Sequence, residues 1–146
     1  MIRYILPLIL LMPSSVFAVN STATAEVLSQ ISITELEQLS LGRFVVTGVG
    51  QVSSDGSSTS DVQVIAPGAP ARFLVEGEDL SYSLIYANNV TLTSGTDTID
   101  VQLLGPKSGQ ILDGSDKIEI DGTGTVSADQ EPGEYVGIYT VDVIYD

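Results

Sequence analysis

From Ala23 to Ile33 apolar and polar residues alternate. Ala23, Ala25, Val27, Ile31 and Ile33 occupy odd positions, interrupted only by Ser29, while Thr24, Glu26, Gln30 and Ser32 fill all the even positions but Leu28. A period of two puts one set of side chains on one face of a half-buried strand. The same period returns at the other end of the chain, in Tyr135, Gly137, Tyr139, Val141, Val143 and Tyr145. Between these ends, short apolar runs predict strands at 39–47, 61–66, 71–76, 82–86, 90–92, 99–103, 118–120 and 125–127. Turn residues punctuate them: Gly48 and Gly50, the Ser/Asp/Gly stretch 53–60, Pro67-Gly68, Asn88-Asn89, Gly105-Pro106 and Glu131-Pro132-Gly133. Strands this short, at intervals of roughly 8–12 residues with Gly/Pro turns, predict an all-β sandwich. Residues 33–41 carry acids and leucines enough for one helical turn, which Ser40 and Gly42 would end.

The first residues read as an address. Arg3 supplies a positive start, Ile5 to Met12 an apolar core interrupted by Pro7, and Val16 and Ala18 suit the −3 and −1 positions of a cleavage site. The apolar run is short for a bilayer span. A signal peptide over 1–18 is therefore expected, with a mature chain from Val19 exported to the periplasm and then to the cell surface or beyond.

Composition narrows the chemistry. The 146 residues hold 19 acidic and 5 basic side chains, a formal charge of −14, and no Cys, His or Trp. One domain of this size can bury an adequate core without a staple. The missing residues exclude Ser-His-Asp hydrolysis, thiol catalysis and His- or Cys-ligated metals. The negative charge speaks against nucleic acid and anionic lipid. No GxSxG, GxGxxG or GxxxxGK occurs, and Gly48-Val49-Gly50 lacks the third glycine. Paired carboxylates could act on a sugar, yet nothing singles out a pair, and a solvated acidic surface explains them better. The chain is therefore read as a non-enzyme without cofactor or metal. Asp113, Asp116, Glu119 and Asp121 form the densest acidic stretch, but Lys117 spoils EF-hand spacing. Asn20-Ser21-Thr22 and Asn89-Val90-Thr91 match the short and common glycosylation triplet.

The C-terminal segment is the most informative. Counted with Asp146 as one, Tyr145 is second and Gly133 fourteenth. That glycine, the alternating strand and the penultimate aromatic resemble the C-terminal signature of chaperone–usher pilins. A plain last strand of a closed sandwich would show the same alternation, and Val136, Ile138 and Ile144 make the second face partly apolar too.

Most of the mature chain is also similar to the bacterial family called domain of unknown function 4402. The matching pieces are Ala23-Thr24-Ala25 through Ile31-Ser32-Ile33, Leu39-Ser40-Leu41-Gly42, Val90-Thr91-Leu92-Thr93-Ser94-Gly95, and Gly133-Glu134-Tyr135-Val136-Gly137 running into Thr140 to Tyr145. The resemblance implies an exported, pilin-like, immunoglobulin-like sandwich lacking one strand, which a donor strand supplies. It implies as partners a periplasmic chaperone, an outer-membrane usher and other copies of the chain in a head-to-tail polymer.

On that view residues 19–33 are an N-terminal extension, with Ala23, Ala25, Val27, Ile31 and Ile33 as donor-strand knobs. Residues 34–146 form the domain, Glu35 and Glu37 marking the boundary. Gly133, Tyr135, Tyr139, Val141, Val143 and Tyr145 form the strand that pairs with the chaperone or the next subunit. The alternative is a secreted or surface β-sandwich that binds calcium or carbohydrate as a monomer.

Overall fold

The computed structural model describes residues 17–146, and the expected leader falls outside them except for Phe17 and Ala18. The described residues form strands and no helix: β1 (Ser32–Glu37), β2 (Arg43–Val46), β3 (Gly50–Ser53), β4 (Val62–Ala66), β5 (Ala71–Glu76), β6 (Ser81–Ile85), β7 (Asn89–Ser94), β8 (Asp97–Leu104), β9 (Ser108–Gln110), β10 (Ser115–Val126) and β11 (Asp142–Tyr145). The all-β sandwich expected from the sequence is what the chain adopts.

β10 is the spine. Its first half pairs with β5, from Ser115 opposite Glu76 to Ile120 opposite Ala71. Its second half pairs with β8, from Asp121 opposite Leu104 to Thr125 opposite Asp100, and with β3 through Thr123 to Val126. β1 lies outside β5, and β7 outside β8. A three-stranded sheet, β11-β6-β9, and a two-stranded ribbon, β2-β4, complete the fold. Every ladder is antiparallel.

Alternation explains the core. β5 buries Ala71, Phe73 and Val75, β8 buries Ile99, Val101 and Leu103, and β6 buries Tyr82 and Leu84, while their neighbours in sequence face outward. Arg72, on the outer face of β5, pairs at 2.7 Å with both Glu37 of β1 and Glu119 of β10, the residues opposite it in each ladder. The charges are exposed, so the trio fixes register more than it adds stability.

Four sequence expectations change. The runs 118–120 and 125–127 join into one strand through Gly122 and Gly124. These continue the inward face, but a Cβ at either position would strike a leucine, Leu39 at 2.9 Å or Leu41 at 2.7 Å. These glycines make room for side chains and do not reverse the chain. β1 crosses the expected boundary: Ile33, Glu35 and Glu37 all lie in the ladder with β5, which absorbs the broken alternation as a bulge between Glu35 and Glu37. Residues 39–47 form only β2 plus an isolated bridge from Ser40 to Ala69. β3 and β9 were not foreseen, because four and three residues are too few for a period to show.

Tyr82 links core to surface chemistry. The residue is fully buried, and its hydroxyl donates to Asp116 Oδ2 at 2.6 Å. Burial, then the Asp116 hydrogen bond and charge, push its hydroxyl far above the ordinary value near 10. Burial raises Tyr86 as well. A phenol protonated more tightly in the fold than in the open chain stabilises fully below the unfolded value and progressively less above it. Melting temperature should therefore fall as pH rises past about 10. Tyr82→Phe should make that fall shallower and cost about 1–3 kcal/mol at neutral pH, by leaving Asp116 without its donor. Thermal melts of both proteins between pH 7 and 11 check this.

Candidate functional site

Residues 38–46 and 130–139 stand apart and leave a groove of about 1020 Å³ between them. Val90 and Leu92 of β7 and Ile99 and Val101 of β8 line it, and they are cross-strand pairs, Val90 opposite Val101 and Leu92 opposite Ile99. Leu39, Leu41, Phe44 and Val46 border it on one side, Tyr135 and Tyr139 on the other.

Both borders have free backbone. β2 has a ladder partner on one side only, β4. On the other side, just past the border, β11 pairs only with β6. Upstream of β11 the C-terminal segment is held to β7 by a single bridge, in which Val136 and Thr93 exchange hydrogen bonds of 2.9 and 3.0 Å. Residues 137–141 belong to no ladder among the described residues. A groove of mixed lining between two such edges, with Val90, Leu92, Ile99 and Val101 along its floor, offers what an added strand uses: main-chain donors and acceptors at the sides and apolar side chains between them.

The expected C-terminal residues divide between groove and core. Gly133, Tyr135 and Tyr139 border the groove, as does Gly137, where a Cβ would meet the Thr91 carbonyl oxygen at 2.5 Å. Tyr135 is anchored, its hydroxyl donating to the Glu131 carbonyl at 2.6 Å and lying 3.1 Å from Asp97 Oδ2. The Tyr139 hydroxyl is buried without a hydrogen-bond partner. Burial first, then the nearby Glu35 and Tyr86, push it above its ordinary value. Val141, Val143 and Tyr145 pack against the core, with Val143 and Tyr145 opposite Leu84 and Tyr82.

The N-terminal alternation divides too. Residues 17–30 are exposed and belong to no strand, so Ala23, Ala25 and Val27 have no partner in their own domain. Ile31 and Ile33 do not share that freedom. Both are half-buried against the core, and Ile33 stands opposite Val75. The expected knobs thus separate into a free set, Ala23, Ala25 and Val27, and a set occupied at home.

The acidic stretch does not converge. Asp113 sits in a turn at φ 56°, Asp116 accepts from Tyr82, Glu119 pairs with Arg72, and Asp121 accepts from the Ser54 hydroxyl at 3.3 Å. Among the described residues no three Asp, Glu, His or Cys side chains gather closely enough to hold a metal ion.

No curated protein and no solved structure matches the chain. A family described as Domain of unknown function (DUF4402) matches it over residues 31–145, which begins one residue before β1 and takes in both borders of the groove. The chain belongs to that family.

Proposed function

We propose that the chain is a structural subunit of a surface fibre in which the N-terminal arm of one copy fills the groove of the next, serving adhesion or biofilm formation. The observation that carries this reading is the pairing of an unfilled groove with an apolar floor, open along two backbone edges, with an exposed alternating arm, residues 19–28, that no strand of its own domain engages. Export through the leader, delivery by a periplasmic chaperone and passage through an outer-membrane usher belong to the same reading.

The lengths agree. Residues 38–46 offer nine positions along one border, and residues 19–28 offer ten in the arm. Burying Ala23, Ala25 and Val27 contributes about 3–5 kcal/mol before ordering costs. That alone does not hold a fibre. Backbone pairing along the groove edges adds roughly 0.5–1.5 kcal/mol net per hydrogen bond. The contact is head-to-tail, so it does not close on itself and propagates as a filament.

A synthetic peptide of residues 19–30 added to the monomer should raise its melting temperature, increasingly with peptide concentration. The same peptide with Asp in place of Val27 should have at least about a tenfold weaker effect, since a charge would enter an apolar site. In the full chain, Val27→Asp should leave the monomer's melting temperature within about 1 °C, because an exposed surface site contributes little to folding. It should also abolish filaments in electron micrographs. Filaments from Val27→Asp, or a melting temperature indifferent to the wild-type peptide, would overturn the reading.

A further inference from the structure

An arm that can enter a neighbour's groove can also enter its own unless something directs it outward. Residue 29 lies beside residue 145, β1 approaches β11, and 38–46 faces 130–139, so the first segment and the last run antiparallel along the groove. Folded back from residue 28, the arm's ten residues span at most about 33–36 Å when extended. The eleven residues from Tyr145 back to Tyr135 cover about the same length. The arm can therefore reach its own groove. Tethering would favour that route through an effective concentration in the millimolar range.

At the point where such a reversal must begin, both backbone groups of one residue are taken. The Ser29 N–H donates to Glu78 Oε1 at 3.1 Å, and the Ser29 carbonyl accepts from the Tyr145 hydroxyl at 2.9 Å. The same hydroxyl accepts the Glu78 N–H at 2.8 Å, joining the two halves of the grip. Gly77 makes room for it, since a Cβ there would collide with the Tyr145 hydroxyl.

We infer that Glu78 and Tyr145 clamp the backbone of Ser29 so that the arm leaves the domain pointing away from its own groove, committing it to a second molecule. This rests on the groove being a strand acceptor and adds what decides between self-closure and polymer. Both residues act by positioning the arm, and neither enters the groove. In Tyr145→Phe the ring stays packed against the core while the bridging hydroxyl is lost. Glu78→Ala removes the other half of the clamp from a different strand connection.

The test uses the exported full chain, with monomer separated by size and then treated with a glutamate-specific protease. In wild-type monomer the bond after Glu26 should be cut rapidly. In monomeric Tyr145→Phe and Glu78→Ala it should be cut about tenfold more slowly, the equivalent of one or two hydrogen bonds lost, because the arm now lies along β11 with its tip in its own groove. Filament yield should drop in parallel, and each variant's melting temperature confirms folding. Equal cleavage rates in folded variants and wild type would overturn the clamp, as would a wild-type arm already protected. Titration with the 19–30 peptide separates the two ideas. Peptide binding with no protection in the variants defeats the clamp alone, whereas no peptide binding defeats the groove reading and the clamp with it.

Discussion

Backbone polar groups must be paired or wetted, and a sheet edge leaves a whole row of them open. In this protein the pairing is uneven. β10 has neighbours along its entire length, and β5, β6 and β8 are each flanked on both sides. β2 and the C-terminal segment are flanked on one side only, and they face one another across the groove. Other strands are also flanked on one side only, β1, β3, β4, β7 and β9 among them, but β2 and the C-terminal segment are the pair that face each other across an opening. Apolar side chains between them raise the cost of leaving it empty.

The central strands were legible because their periodicity is carried by large residues. Ala71-Phe73-Val75 and Ile99-Val101-Leu103 alternate with polar neighbours, and both runs fall inside the strands they predict. β10 was harder to see because glycines hold inward positions at 122 and 124, so the pattern seemed to stop where it continues without side chains. The N-terminal alternation runs through residues that the fold treats differently: Ala23 to Val27 are exposed and belong to no strand, while Ile31 and Ile33 pack against the core.

Half of the groove was legible. The tyrosines and glycines of its C-terminal border stood out through their spacing from Asp146. Leu39, Leu41, Val90, Leu92 and Ile99 carried no such mark, since each reads as ordinary core and borders an opening only because two distant segments fail to meet. The second role of Tyr145 was hidden for a related reason. Its ring belongs to the alternating face that sequence can report, while its hydroxyl reaches a residue 116 positions away.

The continuity of β10 has a consequence for durability. One uninterrupted stretch of twelve residues belongs first to the β5 side and then to the β8 side, so covalent backbone ties the two sheet regions together. A disulfide is another way to make such a tie, but it needs an oxidant to form and yields to a reductant. A chain with no cysteine needs neither. Its integrity is therefore blind to the thiol chemistry of its surroundings, oxidising or reducing.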